Sequence, residues 1–329
     1  MKKLLFAILF FFSLKIHALA LEEIEACSNF LKAGDYERAI RMGEIAVKKY
    51  PGNAYAYLCL GTAYYATGEL KLALASFMQA ERLTQDKETL MLTYGMTGRV
   101  FTAIGNLDDA LLYNFRTLNL AKELGNREYE AALLNNIGSI YQDKGDYDKA
   151  LKYYEESLSL EKDEKKKAAT YNNIATLYVY KGENEKALEY LFKALDIYER
   201  YGDYHHTAKV MLNIGDTYRK VKDYKKAEQY LFEGLSRIRR VGDKYWEGAG
   251  LEYIGRLYRD LGDRQKAIEY LTSAYNLFKS IGAKLDLYNS YKALLDLGVD
   301  PEKPSVAQKQ GQKTNEKQKK KEKEKKKSR

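Results

Sequence analysis

Glycine recurs every twenty residues along much of this 329-residue chain, and that spacing constrains the fold more than any other feature. The glycines at this spacing form three runs: Gly105, Gly125 and Gly145; Gly182 and Gly202; and Gly242, Gly262 and Gly282. Glycine readily takes the left-handed conformation that ends a helix, and an Asp or Asn that follows it can cap the next helix. Each interval therefore predicts one helix of about 17 residues, roughly 25 Å long.

A longer pattern repeats in phase with these glycines. In its clearest copies a small residue, the anchor, is followed three positions later by a tyrosine; these anchors are Gly138, Ala175, Gly215 and Gly255. Weaker copies at Cys27, Gly61 and Gly98 bring the number of copies to seven. Apolar residues between the glycines recur at steps of three and four, which indicates amphipathic helices that bury their apolar faces by stacking on neighbouring helix pairs.

The order of small residue, aromatic residue, glycine and then alanine resembles the tetratricopeptide repeat, over roughly residues 22–298. The anchor spacings run from 34 to 40 residues, and the opening tryptophan of that repeat is missing. In this lengthened form the chain is similar to kinesin light chains and to bacterial peptide-sensing regulators. The resemblance implies an all-α, right-handed superhelical solenoid of about seven helix pairs, with Lys284 to Leu297 as a C-terminal capping helix.

The first twenty residues have the layout of a secretory signal peptide. Lys2 and Lys3 precede an apolar run at residues 4–14, and Ala18-Leu19-Ala20 is a cleavage-site pattern. We therefore expect a signal peptide at residues 1–20, a solenoid at 21–298 and export, most simply to a bacterial periplasm. Secretion and anchoring by an uncleaved signal are the alternatives.

The net charge of +9 lies in the C-terminal tail, because residues 303–329 hold twelve basic and three acidic residues. Residues 299–329 lack apolar periodicity and are predicted to be a disordered, Lys-rich tail. The tail could bind an anionic membrane surface or an envelope polymer through Lys319, Lys320, Lys321, Lys325, Lys326 and Lys327. The alternative is a tail that only improves solubility. Its lack of aromatic residues argues against specific nucleic-acid binding.

No pattern of catalytic residues is visible in the sequence. Beyond the predicted signal, the histidines are the adjacent His205 and His206, which do not have the spacing of a zinc site. Phosphate-binding glycine loops and nucleophile elbows are also missing. We therefore expect no enzyme activity, no cofactor and no metal.

The two cysteines leave one question open. Cys27 and Cys59 lie 32 residues apart, close to one repeat length, and export would permit a disulfide. Their different positions within the repeat argue against one.

The resemblance also implies a binding groove. In tetratricopeptide solenoids the first helix of each pair lines the concave side, and residues two and six before the anchor, and one and four after it, commonly face the groove. These positions hold Asn136, Asn173, Asn213, Lys209, Arg219, Arg256 and Arg259. An asparagine amide can pair with the main chain of an extended peptide, and the cations favour an acidic one.

Two other interpretations remain. The asparagines could instead be bonded to one another between helices. The chain could also be a structural subunit of a cell-envelope complex that self-associates. The preferred hypothesis is an exported adaptor that binds an extended, acidic segment of a partner protein in its groove.

Overall fold

The computed structural model describes residues 22–303, which form fifteen α-helices and divide into two compact units. In the first unit, residues 1–181, the helices are α1 (Glu22–Ala33), α2 (Tyr36–Lys49), α3 (Ala54–Thr67), α4 (Leu70–Leu83), α5 (Lys87–Ala103), α6 (Leu107–Glu123), α7 (Arg127–Asp143), α8 (Tyr147–Leu160) and α9 (Glu164–Tyr180). In the second unit, residues 182–329, they are α10 (Asn184–Arg200), α11 (Tyr204–Lys220), α12 (Tyr224–Val241), α13 (Lys244–Asp260), α14 (Arg264–Ile281) and α15 (Lys284–Asp296).

In chain order these helices make seven pairs and one further helix, α15, so the predicted repeat is confirmed. The odd-numbered helix of each pair is called its first helix below. The predicted signal peptide at residues 1–20 and the tail lysines from Lys319 to Lys327 lie outside the described residues.

The glycine rhythm ends the helices as predicted. All eight glycines of the three runs have φ between +62° and +81°. The Asp or Asn that follows often caps the next helix; the Asn126 side chain, for example, accepts a hydrogen bond of 3.1 Å from Tyr129 N. The turn at Lys222 departs from this rule, because a lysine takes φ +64° there. A side chain in that conformation costs about 1–2 kcal/mol relative to the right-handed one.

The anchors allow the two helices of a pair to approach closely. A Cβ atom on Gly215 of α11 would lie 2.6 Å from Leu231 Cγ and 3.0 Å from Leu231 N of α12. Gly255 has the same relation to Leu271, with a Cβ distance of 2.7 Å. Because these contacts involve the branch point or the backbone of the partner residue, a larger anchor forces the helices apart.

Three of the recurring tyrosines fill space within the pairs. They stack on a tyrosine twelve residues later in the second helix, with ring centroids 5.4–5.7 Å apart: Tyr141 on Tyr153, Tyr218 on Tyr230 and Tyr258 on Tyr270. These rings therefore join paired helices and do not form a ligand cage.

Cys27 of α1 and Cys59 of α3 form a disulfide, which settles the question that the sequence leaves open. Both residues are fully buried, and their Cα atoms are 6.4 Å apart. The two first helices pack directly against each other, so the different repeat positions of the cysteines do not keep them apart.

The described chain continues beyond the capping helix and stays packed against it. Val299 N donates to the Leu294 carbonyl at 2.9 Å, and Tyr275 Oη donates to Glu302 at 2.9 Å. The first residues of the predicted tail, 299–303, are thus part of the packed end of the second unit.

The anchor contact predicts the cost of one added methyl group. Gly215→Ala should lower the free energy of unfolding by about 1–3 kcal/mol, because the methyl group meets Leu231. Urea unfolding followed by circular dichroism measures it. Leu231→Ala should lower the free energy of unfolding less when Gly215→Ala is already present than it does in the wild type. An unchanged unfolding midpoint for Gly215→Ala would contradict the contact.

The disulfide predicts a redox-dependent stability. Replacing both cysteines by alanine should cost roughly 3–4 kcal/mol, because a cross-link that closes 32 residues restricts the unfolded chain. A thiol reductant should destabilise the oxidised wild type and leave the double variant unchanged. If the reductant has no effect on the wild type, the cysteines are not bonded in the folded chain.

Candidate functional site

The predicted binding residues lie on first helices, and they fall in both units. Asn136 of α7 and Asn173 of α9 belong to the first unit. The others belong to the second unit: Lys209, Asn213 and Arg219 of α11, and Arg256 and Arg259 of α13.

In the first unit, Asn173 is used inside the chain. Its Nδ2 donates to Asn135 Oδ1 of α7 at 3.4 Å, and Asn135 Nδ2 donates to the buried Thr170 hydroxyl at 2.8 Å. This chain of hydrogen bonds joins α7 to α9. The structure therefore confirms the alternative interpretation at Asn173, in which the asparagine bonds between helices.

Asn136 differs from Asn173. Its amide is half-buried, and it makes no side-chain hydrogen bond to another residue within 22–303. Of the two predicted asparagines of the first unit, Asn136 is the one whose donors and acceptor are available to a ligand.

The first unit also contains an unpaired arginine that the sequence does not single out. Arg99 of α5 is half-buried, and its Nη1 is buried without a hydrogen-bond partner. Within residues 22–303, no carboxylate lies close enough to form an ion pair with it. Arg99 directly follows the anchor Gly98, as Arg256 follows Gly255. Extending the repeat alignment to the weaker copies would have found it.

Tyr129 of α7 lies beside this guanidinium. Burial raises the pKa of Tyr129 to about 12, against the opposite effect of the Arg99 charge. The Tyr129 hydroxyl packs against Gly95, which lies one turn before Arg99. A Cβ atom on Gly95 would collide with this hydroxyl. Arg99, Tyr129 and Gly95 therefore form a packed polar cluster between α5 and α7, called the Arg99 cluster below.

In the second unit, Arg219 is bound by acidic residues of its own chain. Only 9 % of it is exposed; Nε donates to Asp216 at 2.9 Å, and Nη1 donates to Asp260 of α13. Burial alone would lower the pKa of the Arg219 guanidinium. The two carboxylates outweigh burial and raise this pKa above its usual value. Arg219 thus holds α11 to α13, and its guanidinium is not free for a guest as the sequence predicts.

The two predicted arginines of α13 are also paired. Arg256 binds Glu252 one turn earlier, and the exposed Arg259 bonds to Asp260 at 3.2–3.3 Å. The positive charge expected on this face is therefore balanced by neighbouring carboxylates.

Lys209 contacts two residues of α13 and its turn. Its Nζ lies 3.6 Å from Asp243 Oδ2 and 5.5 Å from the Trp246 ring centroid. His205 Nε2 also lies 2.7 Å from Asp243 Oδ2. Burial acts to raise the pKa of Asp243. The hydrogen bonds from Trp246 N and His205 and the charge of Lys209 outweigh burial, so this pKa lies below its usual value. Asn213, one turn beyond Lys209, is half-buried and also has a partner in the chain.

Residues 22–303 show neither a metal site nor a membrane span. This part of the chain contains no group of three His, Cys, Asp or Glu side chains arranged to hold a metal ion. None of its helices combines the length and hydropathy of a membrane span.

Family models of the tetratricopeptide repeat match residues 28–87, 93–163, 166–237 and 254–280. Together these segments cover more than half of the chain, in phase with the helix pairs. The chain belongs to the tetratricopeptide repeat family. Searching curated proteins with this tetratricopeptide chain gives no match.

Solved structures similar to this tetratricopeptide chain share its fold. A signal transduction ATPase with a tetratricopeptide repeat sensor from Pyrococcus horikoshii has TM-score 0.65 and 23 % identity, over 83 % of this chain and 43 % of that one. The apo form of RapI has TM-score 0.64 and 16 % identity, over 84 % of each chain. A Rap protein complexed with Competence and Sporulation Factor has TM-score 0.55 and 14 % identity, over 84 % of this chain and 85 % of that one.

Glu252 gives the second unit a measurable pH dependence. Burial raises its pKa above the usual 4.5, and the attraction of Arg256 offsets this only partly. The folded chain therefore binds this proton more tightly than the unfolded chain, so stability falls as pH rises from 4.5 through the raised pKa. Glu252→Gln should raise the melting temperature at neutral pH and have little effect below the usual pKa.

Glu247 is a matched control on the same helix. Although burial opposes them, Lys244 and Arg239 hold the pKa of Glu247 below its usual value. Glu247→Gln should therefore lower the melting temperature at neutral pH, opposite in sign to Glu252→Gln. Equal shifts for the two variants would show that burial does not dominate at Glu252.

Proposed function

We propose that this tetratricopeptide protein is an exported adaptor that binds an extended, acidic segment of a partner protein along its first helices, without catalysis. The repeat itself makes the chain a protein-binding scaffold. The observation that carries the finer proposal is the unpartnered guanidinium of Arg99 on the first unit.

A carboxylate of the guest would supply what Arg99 lacks. A buried charged nitrogen without an acceptor is costly, and a bidentate contact with a carboxylate is among the strongest hydrogen-bonded pairs in proteins. In the second unit, by contrast, Arg219, Arg256 and Arg259 already have carboxylates of their own chain. We therefore assign the acidic group of the guest to the first unit.

Asn136 would hold the main chain of the same guest. Its amide carries both donors and an acceptor and is not used within residues 22–303. Asn173 and Asn213 are already engaged inside the chain, so they serve the scaffold in this proposal. The likeness to a Rap protein whose structure contains Competence and Sporulation Factor supports a binding role for this fold.

Export rests on the sequence of residues 1–20 and on the cysteines. Disulfides persist mainly outside reducing compartments, and here both cysteines are buried in one bond. The bacterial periplasm is the compartment that we propose.

A second candidate function is retention at an anionic envelope surface by the Lys-rich tail, with the solenoid as part of an envelope complex. It is favoured by the charge distribution, because residues 303–329 carry the whole net charge of +9. The two functions are compatible, since the tail is separate from the Arg99 cluster in sequence.

The adaptor function can be tested with immobilised mature protein and an envelope extract, measuring captured proteins by quantitative mass spectrometry. Arg99→Gln should reduce capture of specific partners at least about tenfold, the effect of roughly 1.4 kcal/mol. Asn136→Ala should reduce it less, because it removes neutral hydrogen bonds.

Arg127→Gln is the matched control, because it removes the same charge from an exposed position of the first unit. It should capture partners as the wild type does. Equal capture by the wild type and all three variants would overturn the Arg99 cluster as the binding site, and no specific capture by the wild type would overturn the adaptor.

A further inference from the structure

The second unit exposes large apolar side chains where each second helix turns into the next first helix. Successive turns carry Tyr201 and Tyr204, then Val241 and Tyr245, then Ile281 and Leu285, each between 41 % and 74 % exposed. Because the paired helices are antiparallel, these three turns lie at one end of the helices. The group is called the turn edge below.

The turn edge is continuous. Tyr204 and Val241 line the same open cavity of about 550 Å³ beside α12, so the first two turns adjoin. Tyr245 lies 6.0 Å from Phe278 of α14, measured between ring centroids, and interacts with Asp286 of the third turn. Clustered apolar exposure of this kind marks an interaction surface more often than scattered single residues do.

Cations accompany the apolar side chains. Arg240, which lines the cavity, and Lys284, at the start of α15, are exposed and have no acidic partner within residues 22–303. Arg237 and Lys244 also lie here, paired with Glu233 and Glu247. The surface therefore combines Tyr, Val, Ile and Leu with two unpaired cations, beside the Asp286 carboxylate that interacts with Tyr245.

The described chain ends beside the half of α14 that leads to the turn edge. Glu302 lies 3.6 Å from Lys279 Nζ and accepts a hydrogen bond of 2.9 Å from Tyr275 Oη. The segment of net charge +9 that begins at Lys303 therefore starts beside the second half of α14. The tail is a poor occupant of the turn edge, because its net charge has the same sign as Arg240 and Lys284. A second copy of the chain is a poor occupant for the same reason, because it would bring the same two cations.

We propose that the turn edge docks on an anionic lipid surface, with the lysine-rich tail binding the same leaflet. Tyrosine and short apolar side chains suit the depth of the lipid headgroups, and lysine and arginine are attracted to anionic lipids there. The docking holds the second unit against the membrane by one end of its helices, and the Arg99 cluster takes no part in it.

Flotation with vesicles tests the proposal on the full mature chain. The wild type should bind vesicles of phosphatidylglycerol mixed with phosphatidylcholine and should not bind phosphatidylcholine alone. Tyr204→Ser with Val241→Ser and Leu285→Ser should reduce the bound fraction at least about tenfold. A control triple, Phe232→Ser with Leu261→Ser and Leu295→Ser, changes side chains of the same unit that are 36–47 % exposed and should bind as the wild type does.

The single tryptophan of the chain reports how the protein is held. Trp246 follows Tyr245 directly, with the rings 6.3 Å apart, so lipids brominated near the headgroup should quench its fluorescence on binding. Replacing Lys319, Lys320 and Lys321 by Gln should weaken binding and leave the quenching of the bound fraction unchanged.

Several outcomes would overturn the docking. They are equal binding by the turn-edge triple and the wild type, unquenched Trp246 in bound protein, and equal binding to the two vesicle types. A wild-type mass above that of the monomer, lowered only by the turn-edge triple, would identify a second copy of the chain as the occupant instead.

Discussion

The structure depends on the close contact between the glycine anchor of a first helix and the side chain sixteen positions later in its partner. Gly138 meets Tyr154, Gly215 meets Leu231 and Gly255 meets Leu271, each at a distance that a Cβ atom would violate. This contact sets the spacing within a pair. The spacing in turn lets the paired tyrosines stack and the apolar faces of successive pairs meet.

That dependence explains how far the sequence could predict the fold. Helix ends follow from local chemistry, since a glycine in the left-handed conformation and an Asp or Asn cap act within a few residues. Pairing follows from the anchors, because their period is visible along the chain. The disulfide could not be derived in this way. It requires α1 and α3, which are not consecutive, to face each other at Cys27 and Cys59.

The binding residues were predicted less well, for an electrostatic reason. Repeat position shows which side chains lie on a face, but not which neighbours neutralise them. Arg219 lies at the expected repeat position, yet its guanidinium is bonded to Asp216 and Asp260. Asp260 belongs to the next first helix. Conversely, Arg99 lies in a weak copy of the repeat, and no carboxylate pairs with it within the described chain. Such pairings between repeats are tertiary properties.

The bond between Cys27 and Cys59 has a consequence for how the molecule opens. A stack of repeats has only nearest-neighbour contacts and frays from its ends. At the amino end the disulfide closes a covalent ring that contains α2 and parts of α1 and α3, so α1 cannot separate from α3 while the bond is intact. At the carboxyl end α15 rests on noncovalent contacts, such as the hydrogen bond from Arg264 to the Leu297 carbonyl. Fraying is therefore easier from the carboxyl end of the described chain than from its amino end.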